Sequence, residues 1–176
     1  MQVVFIHGPA ASGKHTIGTR VAEALGIPLF HNHLAVDAAL ALFEFGSSGF
    51  CRLRAAIWSA AFAEAAAAGR SFVFTFHPEA SVDPALIESL TRSVRAHGGE
   101  VVFVELLCSP EAIVQRLDQP SRHRFGKLTD VALYRSIERA GGFAFPPLPS
   151  SLRIDTEAHT PEQSAALIVA SLREPR

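Results

Sequence analysis

The chain has 176 residues, 48% of them hydrophobic and 19% charged, and a formal net charge of −1. That is enough for one domain with a substantial core, and it leaves no electrostatic footprint for nucleic acid or an anionic membrane. The longest apolar stretch, 55–68, is broken by Ser59 and Glu64, Val3 to Ile6 is too short for a leader's apolar core, and Cys51 and Cys108 stand far apart, so a cytoplasmic protein with reduced thiols is expected.

In chain order, Gln2-Val3-Val4-Phe5-Ile6 is a β-branched and aromatic run that predicts a strand. Beyond Lys14, residues Ile17, Val21, Ala24 and Leu25 recur at helical spacing until Gly26 stops the pattern. The same reasoning places strands over 3–6, 28–30, 71–76, 101–107 and 152–154, and helices over 14–25, 34–43, 52–68, 84–97, 110–117, 130–139 and 161–172. Pro84, Pro110 and Pro161 fit first helical turns, with Ser109 and Thr160 as candidate N-caps. Repeated β-then-α units imply a parallel sheet covered by helices on both faces, whose ligands bind beyond the carboxyl ends of the strands. No repeat or domain boundary is visible, so 1–176 reads as a single domain.

Between the first strand and the first helix lies Gly8-Pro9-Ala10-Ala11-Ser12-Gly13-Lys14, the G-x-x-x-x-G-K pattern of a phosphate-binding loop. Its glycines let the backbone curl so that several N–H groups face one phosphate. The helix N-terminus and Lys14 add positive charge, and Lys14 is expected to lie exposed there with its charge offset only by phosphate. The residue after the lysine is usually Ser or Thr, whose hydroxyl meets Mg²⁺. Here it is His15, with Thr16 one place later. Imidazole is a poor ligand for that hard cation. The metal is then held through water and phosphate oxygens, or Thr16 takes a shifted role.

Read together, Gly8 to Lys14, the Thr16-Ile17-Gly18 that follows and the Leu25-Gly26-Ile27-Pro28-Leu29-Phe30 strand resemble small P-loop kinases of the shikimate kinase and nucleoside monophosphate kinase group. Arg116, the basic Ser121-Arg122-His123-Arg124 and Arg153-Ile154-Asp155-Thr156 extend a weaker similarity along the chain. The resemblance implies an α/β fold with three α/β/α layers, a five-stranded parallel sheet of order 2-3-1-4-5, and a lid over about 119–129. It further implies ATP and Mg²⁺ as cofactors, transfer of the γ-phosphate to a small acceptor, and Gly8, Ala10, Ala11, Ser12, Gly13, Lys14, His15, Thr16, Arg116 and Arg122 as nucleotide contacts. Shikimate kinases carry two aspartates after the second strand. This chain has His31-Asn32-His33, and His77-Pro78-Glu79 replaces the glycine-rich turn after the third. Shikimate is therefore not the expected acceptor.

Under that strand order the chain's histidines gather. His7 ends the first strand, His31 and His33 follow the second, His77 follows the third, and His15 opens the loop's helix. The alternatives are a neutral general base at His33 with His31 and His77 lining the acceptor pocket, a transition-metal site, or backbone-bonded strand ends. Asp37, one turn beyond His33, is the remaining carboxylate for acceptor or water-mediated metal contact, or else a solvated charge. Of Arg52 and Arg54 only one can face inward, and Arg54 is taken as the grip on an anionic group. Arg122 and Arg124 are read with Lys14 as the charge clamp of phosphoryl transfer. Phe143 and Phe145, in a segment of two glycines and three prolines, either wall the acceptor pocket or cover the sheet edge.

Three functions compete. One is an ATP-dependent phosphotransferase acting on a polar, anionic, hydroxyl-bearing metabolite. The others are a nucleotide-binding protein without efficient transfer, and a metal-dependent phosphohydrolase or transferase. The first is favoured, because a passive binder has no use for a charge clamp. The expected partners are a nucleoside triphosphate and the small acceptor, in a monomer or homodimer.

Overall fold

The computed structural model describes residues 1–117 and 130–173. Five strands, β1 (Gln2–His7), β2 (Leu29–His31), β3 (Phe72–Phe76), β4 (Glu100–Leu107) and β5 (Leu152–Asp155), form one sheet in the order β2-β3-β1-β4-β5. Every neighbouring pair is parallel. Connecting them are α1 (Lys14–Leu25), α2 (His33–Leu40), α3 (Ser48–Ala67), α4 (Pro84–Ala96), α5 (Pro110–Leu117), α6 (Val131–Arg139) and α7 (Pro161–Arg173). The expected lid, with Arg122 and Arg124, lies outside the described residues.

Alternation along the strands sends two kinds of side chain to the two faces. Phe5, Phe72, Phe74, Phe76 and Phe103 pack under Trp58 and Phe62 of α3 and Leu90 and Val94 of α4. Val4, Ile6, Val73, Val104 and Leu106 pack under Ile17 and Val21 of α1 and Ile168 of α7. All five strands meet their expected positions to within a residue, but α2 and α3 do not. Helix α2 ends at Leu40 rather than 43, and α3 starts at Ser48 rather than 52 because the Ser47 hydroxyl accepts the Phe50 N–H at 3.3 Å. Gly49 in the first turn had disguised that start. The caps at Ser109 and Thr160 form as read, and Thr160 and Gln163 bond reciprocally at 2.9 and 3.2 Å.

Strand β1 is central, so the turn that leaves it emerges in the middle of the sheet's carboxyl end. The chain reaches that end again after β2 and β3, and once more where 141–150 crosses it as a strap. The Ala80 N–H donates to the Gly142 carbonyl at 2.9 Å, Phe145 packs edge-on against Phe76, and Phe143 stacks on Tyr134. The two phenylalanines part company here, and Phe145 packs on an interior strand rather than on the sheet edge. Phe145 extends the core, and Phe143 roofs the turn after β3.

Candidate active site

Backbone conformation makes the loop after β1. Gly8 has φ +152°, and a Cβ there would lie 2.5 Å from the Leu106 carbonyl oxygen, so no larger residue fits. Gly13 caps α1 at φ +85° with no side-chain bond to the helix. The first internal bond runs from the Ile17 N–H to the Gly13 carbonyl at 2.9 Å, and the amides that begin α1 have no acceptor within the helix. Ala11 also takes a left-handed conformation, φ +58°, which a side chain adopts only at a cost.

Lys14 was expected to project freely. Its ammonium is instead half-buried and turned back into the loop, donating to the carbonyls of Gly8 at 2.9 Å and Pro9 at 2.6 Å, with the Ser12 hydroxyl at 3.4 Å. The correction is physical: a lysine beside a ring of carbonyls takes them as acceptors, and its charge helps hold the curl.

The histidines divide into groups. His15 meets His31 edge to face at 4.8 Å between ring centroids, and His31 lies 6.4 Å from His33. His33 Nδ1 is 4.0 Å from Asp37 Oδ1, and that carboxylate is 66% exposed. His77 stands on the other side of the loop, its Nδ1 3.3 Å from the Gly8 carbonyl and its ring under Phe143. His7 does not join them. It shares the aromatic face with Phe5, is 3% exposed, and has Nε2 3.4 Å from the Ser150 hydroxyl of the strap. Burial pushes its pKa down, against a smaller upward pull from Glu105. Among the described residues no three His, Cys, Asp or Glu side chains are placed to hold a metal ion.

Of the arginines, Arg52 is exposed and Arg54 turns inward, as read. What Arg54 meets was not foreseen. It pairs with Glu79 and donates to the Ser81 carbonyl at 3.0 Å. Arg116 is anchored at the far edge, donating to the Thr156 hydroxyl at 2.9 Å and carbonyl at 2.8 Å. Thr16 is exposed at the loop's rim. A small apolar cavity of about 160 Å³, lined by Pro28, Phe30, Ala61, Ala65, Arg70 and Phe72, opens at the opposite end of the strands and has no part in this site.

Sequence comparison alone is silent: no protein-family model matches the chain, and no curated protein matches it. Solved structures do match. A sugar kinase from Janibacter sp. HTCC2649 superposes with a TM-score of 0.69 at 20% identity, over 98% of this chain and 94% of that one. This is the fold of the P-loop small-molecule kinases. The APS kinase of Mycobacterium tuberculosis, solved in complex with AMPPNP and APS, has a TM-score of 0.67 at 16% identity, covering 98% of both chains. Shikimate kinase from Aquifex aeolicus vf5 is similar at a TM-score of 0.56 and 17% identity, over 98% of this chain and 96% of that one. Among the described residues no helix is long and apolar enough to cross a membrane.

Proposed function

We propose that the protein is an ATP-dependent phosphotransferase for a small hydroxyl-bearing metabolite other than shikimate. One observation carries this reading: the Lys14 ammonium seated among the carbonyls of a curled loop at the uncapped start of α1. A helix start with amides facing outward, beside a lysine, is suited to phosphate oxygens and to little else. Binding would exchange a carbonyl partner of Lys14 for a phosphate oxygen. The fold's solved relatives add support, since one of them was crystallised with an ATP analogue.

In the transfer, an acceptor hydroxyl oxygen bonds to the γ-phosphorus while the bond to the β,γ-bridging oxygen breaks and ADP departs. The hydroxyl proton goes to His33, whose Nδ1 stands 4.0 Å from Asp37 Oδ1. His31 and His77 are assigned to the acceptor and Arg116 to the nucleotide, with Arg122 and Arg124, which lie outside the described residues, as the charge clamp. The residues do not supply Mg²⁺ with the usual hydroxyl ligand. His15 offers an imidazole whose ring meets that of His31, Thr16 is exposed one position on, and Asp37 is solvated. Mg²⁺ would therefore arrive on the triphosphate, and no protein step is assigned to it.

Lys14→Ala should weaken ATP binding at least a hundredfold in a calorimetric titration while leaving the thermal transition in place. Unchanged affinity would make the loop structural and remove this reading. ATP bound normally by the wild type, with no hydroxylated metabolite phosphorylated, would leave a nucleotide-binding protein without transfer.

A further inference from the structure

The anionic acceptor expected from the sequence depended on the histidines and on Arg54, and the fold commits that arginine elsewhere. Its side chain is 2% exposed, is ion-paired with Glu79, and donates to the Ser81 carbonyl and hydroxyl at 3.0 and 3.2 Å. Its Cζ lies 5.0 Å from the Phe50 ring centroid and 5.1 Å from that of Trp58. A guanidinium so enclosed touches no ligand, and releasing it would strand a charge between two aromatic rings. Glu79 is the member of the pair that reaches the surface, at 13% exposure. Its Oε1 takes Arg54 and, at 2.8 Å, the Ser81 hydroxyl, while Oε2 is used by neither.

Glu79 also stands in the right place. Two residues earlier, His77 Nδ1 is 3.3 Å from the Gly8 carbonyl of the phosphate loop. Two residues of extended chain span at most about 7 Å. One residue later, Ala80 is bonded to the strap through Gly142. The turn that carries the carboxylate is therefore tied to the phosphate loop through His77 and to the strap through Ala80.

We propose that Glu79, held by Arg54 as a positioning residue, recognises hydroxyl groups of the acceptor, and that the acceptor is an uncharged sugar or polyol. This rests on the phosphotransferase reading above. An ionised carboxylate only accepts hydrogen bonds, and substrate hydroxyls can donate to it with charge assistance. The Arg54 charge lies behind it, so the pair presents its negative end to the mouth. A carboxylate or phosphate on the acceptor would be opposed at short range in a site partly shielded from water.

The test is ADP release over matched sets of aldoses, alditols and the corresponding aldonates, with ATP affinity followed in parallel by calorimetry. The neutral members should be phosphorylated at least tenfold more efficiently than the acids. Glu79→Gln keeps the side chain's shape and an oxygen for Arg54. It should raise KM for neutral acceptors tenfold or more with a smaller change in kcat, and narrow the gap to the acids. Glu79→Asp, which restores the charge, should recover part of the loss. A preference for acids, or a KM unmoved in Glu79→Gln, overturns this assignment and leaves the phosphotransferase reading standing. Normal ATP binding with no member of either set turned over overturns this assignment, and the phosphotransferase reading falls with it only if no other hydroxylated metabolite is phosphorylated. Should Glu79→Gln fail to fold, the wild-type kcat/KM ratio between neutral and acid members decides alone.

Discussion

On one face of the sheet Phe5, Phe74 and Phe103 stand ring to ring beneath Trp58 and Phe62, whereas on the other Val4, Val73 and Val104 meet Ile17, Val21 and Ile168. The aliphatic face is thin. A Cβ at Gly18 would lie 3.1 Å from Thr75 Cγ2 and 3.2 Å from Leu29 Cδ1, so α1 sits almost on the strands and its N-terminus is held where the loop needs it. The aromatic face is thick enough to enclose polar groups among its rings. Arg54 is buried between Phe50 and Trp58, and His7 lies between Phe5 and Phe103. Under the proposed function, the loop that would take phosphate rides on the close-packed side, and the Arg54–Glu79 pair that would sort acceptors belongs to the side where large rings leave corners to be filled.

The largest expected effect that sharpens this contrast comes from adjacent residues of β3 facing opposite ways. Phe74→Ala should cost about 3–5 kcal/mol and Val73→Ala roughly 2 kcal/mol, read from urea unfolding. Equal losses would mean that the two faces are energetically alike. A smaller effect concerns the polar group that the aromatic face encloses. Burial holds His7 below its ordinary value of 6.5. In acid the unfolded chain takes up a proton that the folded chain resists, so stability is full above about pH 6.5 and falls as the pH drops towards the lowered pKa. Thermal transitions recorded across pH 5 to 7.5 should decline towards acid in the wild type and more gently in His7→Gln. Parallel declines would show that the His7 site is open enough to be protonated without penalty. The smallest effect belongs to the loop where the faces meet. Ala11→Gly removes a left-handed alanine at φ +58° but frees the unfolded chain, for a net gain under about 1 kcal/mol. A loss would show that the Ala11 methyl group packs usefully against its neighbours.

Much of this was legible in the sequence because it is written locally. The phosphate loop depends on glycine spacing between a strand and a helix, and β1, β3 and β4 each depend on their own β-branched and aromatic run. The pairing of Arg54 with Glu79 is not local: it joins residues 25 apart, one on a helix and one on a turn, and no period or motif relates them. Glu79 was passed over although it stands in the turn that departs from the family pattern. His7 was misplaced for a different reason. Strand alternation puts it on the same face as Phe5 and therefore into the core, but its position at a strand end suggested the mouth. The early start of α3 was hidden because Gly49 follows the Ser47 cap and weakened the helical signal.

The position of β1 also governs when the site can come into being. Its partners lie far along the chain: Gln2 pairs with Ser71 across 69 residues and with Glu100 across 98. At synthesis rates of roughly 5–20 residues per second, β1 waits on the order of 5–20 seconds after leaving the ribosome before β4 is available to flank it. Contacts of such separation bear the loop-closure entropy first and are rewarded late, which makes a parallel sheet of this order slow to assemble. The phosphate loop takes its curl from a seated β1 and from the Leu106 carbonyl beside Gly8. Under the proposed function, a loop made well before β4 is thus among the last parts of the sheet to become competent, because the strands that flank it must close first.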